Sequence, residues 1–237
     1  MWDIKYIIKD LLETKNLQEF INHRFKDPTG SHIIIDTNII DCVMVKGNKF
    51  YPSDDLFTII QVYDTYHFND ILPTDIVLDI GANIGGFSIL ASKKALMVYA
   101  IEPITFRDLT KNIHLNTTNN IKAMDYALGN ATTKVTWMKK KREVQCKSLS
   151  EIIHECGGHI DFLKLDCEGG EWSIKPQELH GIRRIEAEIH SYKGLPEHRS
   201  FLDILDKAGF NYNKEILSKE IMIVHANRSG LRPHSEP

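Results

Sequence analysis

Residues 76–92, with the sequence IVLDIGANIGGFSILAS, constrain the fold of this chain more than any other stretch. The stretch begins with an apolar run that is typical of a strand buried on both faces, and its last apolar residues recur at helical spacing. It therefore predicts a strand, a turn and a helix. Gly81, Gly85 and Gly86 lie in the turn, where the missing side chains let backbone N–H groups and the helix N-terminus approach a polar ligand.

Asp79 distinguishes this turn from a phosphate-binding one. A carboxylate immediately before the glycines would repel a pyrophosphate, but it suits a ligand that carries ammonium, sulfonium or ribose hydroxyl groups. Asn83 occupies the position of the second glycine in the dinucleotide fingerprint GxGxxG, so the backbone could not approach a pyrophosphate as closely. The turn thus favours S-adenosylmethionine over NAD as the ligand.

From residue 75 onward, predicted strands and helices alternate and are joined by short loops, which indicates βαβ units and a mainly parallel sheet. Further strands are predicted at residues 97–101, 121–126, 160–165, 185–189, 210–217 and 220–225. Only Ser218 and Lys219 separate the last two strands, so we expect an antiparallel hairpin at one edge of the sheet. Residues 132–146 form a polar excursion rich in β-forming residues.

Two helices are predicted to begin with capping boxes, in which the first residue and the residue three positions later each accept a hydrogen bond, through the side chain, from the other's backbone N–H. One pairs Thr105 with Asp108, and the other pairs Ser148 with Glu151. The second helix is predicted to end at Gly157-Gly158.

The segment before residue 75 is predicted to be an extension of the main domain. Residues 2–25 carry apolar residues at helical spacing, short β-like runs follow at 32–35 and 40–45, and residues 56–66 indicate a helix or lid segment. We expect the aromatic side chains at the end of that helix, Tyr66 among them, to pack in the core. The predicted division is an N-terminal helical and β extension at 1–74, which contributes to the acceptor pocket or to an oligomer contact, a main domain at 75–226, and a flexible tail at 227–237.

Composition narrows the class of protein. The chain has 237 residues of which 42% are hydrophobic, enough for a sizeable core, and its net charge of −3 gives no overall bias toward nucleic acid or anionic membranes. Its four cysteines form no CxxC pair. Charges interrupt the N-terminal apolar residues, and no apolar run is long enough for a membrane span. We therefore expect a soluble cytoplasmic protein.

Acids or a histidine follow each of the predicted parallel strands, where ligands bind in open α/β sheets. These residues are Asp79, Glu102, Asp125, Asp166, Glu188 and His190. A single acid at a strand end is often only a helix cap or turn former, but the coincidence of all of them indicates a site. Glu102 stands about twenty residues after the glycine turn, the position from which an acid reaches a ribose diol.

Four segments resemble the FkbM family of S-adenosylmethionine-dependent methyltransferases. They are DIGANIGGFS at 79–88, VYAIEP at 98–103, ALGN at 127–130 and DFLKLDCEGGEW at 161–172. The last is the most specific, because the pattern LDxEGxE is not shared by methyltransferases in general. The resemblance, which covers residues 77–212, implies a Rossmann-like class I methyltransferase fold, with a mostly parallel seven-stranded sheet and an antiparallel C-terminal hairpin. It also implies O-methylation of a sugar or other small-molecule hydroxyl.

The resemblance further implies roles for individual residues. Those around the methionine part of the cofactor would be Asp79, Gly81, Ala82, Asn83 and Gly85. Glu102 would bind the ribose, and Asp125 and Tyr126 would lie beside the adenine. Asp166 and Glu168, where the strand predicted at 160–165 ends, would face the methyl group.

Three residues are candidates for catalysis. Methyl transfer to an alcohol needs close approach and removal of a proton. Asp166 or Glu168 could accept that proton or position the acceptor hydroxyl, and His190 is the other candidate base. The same three side chains could instead hold a divalent metal ion, but the resemblance does not require one, and we predict none.

Residues 139–142 are four adjacent cations. Such a run is usually a solvated loop, although it could contact an anionic acceptor such as a sugar phosphate, a nucleotide or RNA. Besides the preferred small-molecule O-methyltransferase, two alternatives therefore stay open: an RNA methyltransferase that uses residues 139–142, and a non-catalytic protein that binds S-adenosylmethionine for an interaction. No motif identifies the acceptor or the oligomeric state.

Overall fold

A computed structural model describes residues 42–45, 47–51, 56–137, 140–192 and 194–228. The helices predicted within residues 2–25, the β-like run at 32–35 and the tail after residue 228 lie outside these residues. No helix in the described part is long and apolar enough to cross a membrane.

The described residues form strands and helices in the following order. The strands are β1 (Val43–Val45), β2 (Asn48–Phe50), β3 (Ile76–Ile80), β4 (Met97–Ile101), β5 (Ile121–Met124), β6 (Ala127–Leu128), β7 (Thr133–Trp137), β8 (Lys140–Val144), β9 (Cys146–Lys147), β10 (Phe162–Leu165), β11 (Arg184–His190), β12 (Asn211–Ile216) and β13 (Ile221–Asn227). The helices are α1 (Leu56–Thr65), α2 (Gly86–Ala91), α3 (Phe106–Leu115), α4 (Leu149–Glu155) and α5 (His198–Ala208), with short 3-10 helices at Gly170–Ser173 and Pro176–Leu179.

Seven strands form one sheet in the order β12-β13-β11-β10-β3-β4-β5. All neighbours are parallel except β13, which runs antiparallel to both β11 and β12. The prediction of a mostly parallel sheet with an antiparallel C-terminal hairpin is confirmed. Because the chain moves from β3 to β4 on one side and returns to β10 on the other, the carboxyl ends of β3 and β10 form the switch point at which such sheets bind ligands.

Helices cover both faces of the sheet. On one face Phe87 of α2 packs against Phe162 of β10, with ring centroids 5.9 Å apart. On the other face Leu163 of β10 lies in one apolar cluster with Ile152 of α4 and Leu202 of α5. The sheet is therefore the middle of three layers, and its central strands are buried on both sides.

The polar excursion predicted at residues 132–146 is a β-hairpin. Strand β7 pairs with β8 in antiparallel register, and the short strand β9 then pairs in parallel with β6. These pairings bring the hairpin back beside the carboxyl ends of β4 and β5, where Arg142 of β8 donates hydrogen bonds to the Pro103 carbonyl and to Asp125.

The two predicted capping boxes differ in outcome. Ser148 and Glu151 form theirs, and α4 ends before Gly157, which has a φ of 97°. Thr105 makes no side-chain cap on α3, and that prediction is wrong. Its hydroxyl donates instead to Asn83 Oδ1 at 3.2 Å, because the start of α3 lies against the glycine turn.

Removal of the Ser148 hydroxyl should destabilise the fold measurably. Ser148→Ala deprives the first turn of α4 of its side-chain acceptor, and we expect it to lower the free energy of unfolding by about 1 kcal/mol. Glu151→Gln is the matched control, since a Gln oxygen still accepts from the Ser148 N–H. Urea unfolding of the three proteins would contradict this cap if Ser148→Ala cost no more than Glu151→Gln.

Candidate active site

A cavity of about 690 Å³ opens at the carboxyl ends of β3, β4, β10 and β11. This volume is typical of small-molecule sites. Thr58, Gln61, Val62 and Tyr66 form one wall, so α1 from the predicted N-terminal extension borders the cavity directly. The opposite wall is formed by residues around β6 and by the loop that follows β10.

The glycine turn after β3 is shaped by the close approach of β10. Gly81 has a φ of 79°, and a Cβ built on it would lie 1.7 Å from the backbone oxygen of Asp166. Only glycine fits there. Asn83 also has a positive φ, 48°, and its amide is held on both sides by hydroxyls of Thr58 and Thr105. Together with Ala82, which also lines the cavity, these contacts hold the turn open toward the ligand space.

Glu102, after β4, lies directly against this turn and also lines the cavity. Its Oε1 accepts hydrogen bonds from the N–H groups of Ile104 at 2.6 Å and Thr105 at 2.9 Å, and its Oε2 accepts from Asn83 N–H at 3.0 Å. Burial raises the pKa of Glu102, while the three N–H donors lower it. A carboxylate offers about four acceptor positions, so three backbone donors fix its orientation and leave room for a ligand hydroxyl.

Asp79 does not line the cavity, although the sequence predicted it to surround the ligand. It is fully buried; its Oδ2 accepts from the Ser88 hydroxyl at 2.5 Å, and its Oδ1 lies 3.2 Å from Lys164 Nζ. Gly85 also lies behind the cavity wall, where its φ of 97° begins α2. Asp79 therefore acts on the site through Lys164 rather than by contact.

Lys164 is a fully buried ammonium on the cavity wall. Its Nζ donates to the Gly81 carbonyl at 2.7 Å and lies 3.6 Å from Asp166 Oδ2. Burial lowers its pKa, but the charges of Asp79 and Asp166 outweigh burial and raise the pKa above the ordinary lysine value. The residue is thus a cation that joins the glycine turn to the acid after β10.

Asp125 and Tyr126 do not line the cavity either. Asp125 forms a bidentate ion pair with Arg142, with N–O distances of 2.7 and 2.9 Å. The Tyr126 side chain is buried in the core, and its hydroxyl donates to Glu155 at 3.0 Å. Strand β5 ends at Met124, two residues earlier than predicted, and the chain presents Leu128 and Gly129 to the cavity instead.

Acidic side chains gather at the far end of the cavity. Asp166 Oδ2 accepts from the Tyr66 hydroxyl at 3.1 Å, and Glu168 Oε2 accepts from the Tyr192 hydroxyl at 2.7 Å. Burial raises the pKa of Glu168, although His190 and Tyr192 act in the opposite direction. Glu168 has a φ of 56°, so the loop after β10 turns sharply there and directs the next residues back under the cavity.

His190 lies beneath these acids, outside the cavity lining. Its Nδ1 is 2.9 Å from Glu171, and its Nε2 is 3.4 Å from Glu188, 3.7 Å from Glu168 and 3.9 Å from Asp166. Burial lowers its pKa, but the hydrogen bonds to Glu171 and Glu188 and the surrounding charges outweigh burial and raise the pKa to about 10. In these surroundings the ring is protonated at neutral pH. An imidazolium cannot accept a proton, which argues against the predicted role of His190 as the base.

The sequence analysis did not identify four site residues of this arrangement: Tyr66, Lys164, Glu171 and Tyr192. It named Glu188 only as an acid near a strand end and gave it no individual role. Lys164 and Glu188 had a readable signal, since charged residues alternate with apolar ones in FLKLD and RIEAEIH and so share one face of β10 and β11. Tyr66 and Tyr192 had no such sequence signal, because only tertiary packing brings them to the acids.

Comparison with known proteins decides the family. The model of the methyltransferase FkbM domain matches residues 79–212, more than half of the chain. The chain belongs to the FkbM methyltransferase family. The resemblance is thereby confirmed, and the protein is an S-adenosylmethionine-dependent methyltransferase. The cavity suits that cofactor, since the backbone of the glycine turn lines it and Glu102 beside the turn presents an oriented carboxylate. No curated protein matches the chain.

Several solved methyltransferases are similar in structure to this chain. Precorrin-6y C5,15-methyltransferase from Geobacter metallireducens GS-15 has a TM-score of 0.54 at 13% identity, over 76% of this chain and 94% of that one. Magnesium protoporphyrin IX methyltransferase from Synechocystis PCC 6803, solved with bound SAM, has a TM-score of 0.49 at 16% identity, over 97% of this chain and 99% of that one. M. jannaschii TYW2 in complex with AdoMet has a TM-score of 0.49 at 16% identity, over 79% and 85%.

Substitution of Gly81 should separate steric exclusion from backbone strain. Gly209 has nearly the same φ, 78° against 79°, but a Cβ there would meet nothing within 4 Å. We expect Gly209→Ala to cost about 1–2 kcal/mol of unfolding free energy. Gly81→Ala should cost about 1–3 kcal/mol more, since β10 must move, and should abolish S-adenosylmethionine binding in calorimetry. Equal losses of unfolding free energy in the two variants, with S-adenosylmethionine binding intact, would show that β10 does not pack tightly against Gly81.

Proposed function

We propose that this methyltransferase transfers the methyl group to a hydroxyl of a small molecule or sugar. The observation that supports this choice is the acidic end of the cavity, where Asp166, Glu168 and Glu188 line the wall. Among the described residues of the lining, Lys164 is the one cation, and it is already paired with Asp79 and Asp166. Phosphate groups would be repelled there, whereas hydroxyl groups find several acceptors.

The cofactor is proposed to lie along the cavity wall that the glycine turn and Glu102 form together. Gly81, Ala82 and Asn83 would border its methionine part, and Glu102 would accept hydrogen bonds from the ribose hydroxyls. Leu128 and Gly129 provide apolar wall for a base, which Asp125 and Tyr126 do not. When bound, S-adenosylmethionine supplies an electrophilic methyl group.

The acidic end would hold the acceptor and take up its proton. Tyr66 and Lys164 fix Asp166 from two sides, so one carboxylate is held beside the cofactor space without a mobile loop. Asp166, with Glu168 and Glu188 beside it, would bind the hydroxyl and draw off the proton as the oxygen attacks. Positioning of this kind supplies much of the rate in a displacement reaction.

The structure gives less support to an RNA acceptor. Arg142, the last residue of the basic run, is engaged by Asp125 and by the Pro103 carbonyl, which leaves it little capacity for phosphates. Lys139 lies outside the described residues. The N-terminal extension is proposed to shape the acceptor pocket, since α1 already lines the cavity. The four cysteines, Cys42, Cys146, Cys156 and Cys167, are free thiols, which supports the proposal of a reducing cytoplasm.

Neutralisation of Glu102 tests the cofactor site. Glu102→Gln removes the charge and places an NH2 group against backbone N–H donors, so we expect S-adenosylmethionine affinity to fall by about 10- to 100-fold, the worth of a charge-assisted hydrogen bond. Asp108→Asn, on nearby α3, removes a half-buried acid without contact to the cavity and should leave affinity unchanged. Isothermal titration calorimetry measures both, and equal affinities in all three proteins would refute the site.

Neutralisation of Asp166 tests the acceptor end. Asp166→Asn should lower turnover by about 100-fold or more, since a positioned base contributes that much, while cofactor affinity stays near that of the wild type. The assay follows label from S-adenosylmethionine into polyhydroxylated small molecules and, in parallel, into transfer RNA. Transfer to RNA alone, with affinity that falls steeply as salt rises, would replace the small-molecule proposal.

A further inference from the structure

We propose that the chain binds one divalent metal ion between Asp166, Glu168 and His190, where the ion would hold the acceptor hydroxyl. The proposal rests on the methyltransferase function proposed above and names a further component of the same site. It replaces our prediction from the sequence of no metal ion, which the family resemblance does not require. Three features of the structure lead to it: the spacing of the ligand atoms, the support of His190, and the excess of buried negative charge.

The ligand atoms are spaced for a metal ion. One atom from each of the three side chains lies within 4.8 Å of the others. His190 Nε2 is 3.7 Å from Glu168 Oε1 and 3.9 Å from Asp166 Oδ1. Ligands at about 2.1 Å from a metal stand about 3.0–3.4 Å apart. The two His190 distances exceed this range by about half an ångström, and the separation of the two acids exceeds it by at most about 1.4 Å.

The support of His190 is that of a metal ligand. Its Nδ1 faces Glu171 at 2.9 Å, while its Nε2 points to the acids. Glu171 is itself fixed, because its Oε2 accepts from Gly169 N–H at 2.6 Å. Metal-binding histidines commonly donate their second ring N–H to a carboxylate in this way, which orients the ring and raises its basicity.

The charge balance also calls for a cation. Five carboxylates surround the site, and among the described residues Lys164 is the one lysine or arginine paired with them. A bound ion would replace the proton on His190 Nε2. The carboxylates are those of Asp79, Asp166, Glu168, Glu171 and Glu188. Asp79, Glu171 and Glu188 are buried, and uncompensated negative charge among buried groups is costly. One imidazole with two carboxylates suits Mn²⁺ or Zn²⁺ better than Ca²⁺, which prefers oxygen ligands alone.

A second histidine cluster is less suited. His67, Glu186 and His225 also bring ligand atoms within 4.8 Å of one another. There, however, the Arg184 guanidinium pairs with Glu186 and lies 3.4 Å from His67 Nδ1. Its positive charge opposes a metal ion and uses the one carboxylate of the cluster. The second cluster therefore provides an internal control.

The ion would assist the transfer as a Lewis acid. Binding of the acceptor oxygen lowers the pKa of its hydroxyl. With the ion bound, Asp166 would serve as its ligand, and the proton would pass to Glu188 instead, which lines the cavity and is not one of the three ligands. The O–CH3 bond then forms as the S–CH3 bond of the cofactor breaks, and S-adenosylhomocysteine leaves.

Calorimetric titration of the chelator-treated chain with Mn²⁺ alone and with Zn²⁺ alone tests the proposal. We expect one ion per wild-type chain. Glu168→Gln should weaken binding by about 10-fold or more, and Glu171→Gln by about 10- to 100-fold, because it disturbs the support of His190. His225→Gln is the matched control and should leave affinity unchanged.

The outcomes separate this proposal from the function on which it rests. If the wild-type chain binds neither ion yet binds S-adenosylmethionine and transfers its methyl group, the metal site is refuted and the function stands. If it binds one ion with the expected variant pattern but no S-adenosylmethionine, the function fails and the metal site stands. If His225→Gln abolishes metal binding while Glu168→Gln retains it, the ion lies at the second cluster and the proposal is wrong.

Discussion

The site depends on the buried ammonium of Lys164. It contacts the Gly81 carbonyl, Asp79 and Asp166, and so connects the turn that would hold the cofactor to the acid that would face the acceptor. A buried ion pair adds little net stability, but removal of one partner from such a pair costs about 3–5 kcal/mol, because the other charge is left alone. The two ends of the site are therefore fixed relative to each other by ion pairs in which the loss of any single partner is destabilising.

Register within the sheet places this ammonium. Lys164 on β10 lies opposite Asp79 on β3 and Glu186 on β11, and all three project from the same face. The charged groups stand on adjacent parallel strands rather than on loops, so their separation is set by the spacing of the strands. The same face of β11 continues with Glu188 and His190 toward the cavity. The acidic end of the site is thus positioned by a rigid strand before any ligand binds.

Sequence periodicity was sufficient for the fold, because alternation of strands and helices and a two-residue connection leave few topologies. It was less informative for the site. Strand ends indicate which loops meet, and Glu102 and Asp166 line the cavity as expected. Asp79 and Asp125 do not, since a side chain near a strand end can turn into the helical layer or toward a neighbouring hairpin. Contacts such as that of Tyr66, a hundred residues from Asp166, leave no local pattern.

The basic run at residues 139–142 suggests one role in the sequence, and the contacts of Arg142 in the structure indicate another. As a sequence, residues 139–142 suggested attraction to a polyanion. In the structure Arg142 braces the β7–β8 hairpin against Asp125 and the Pro103 carbonyl. Pro103 directly follows Glu102, whose carboxylate is oriented by the next N–H groups of that loop. Arg142 therefore supports the loop that carries Glu102, the proposed ribose contact. Its charge is neutralised by Asp125 within the protein and is not available to bind an acceptor.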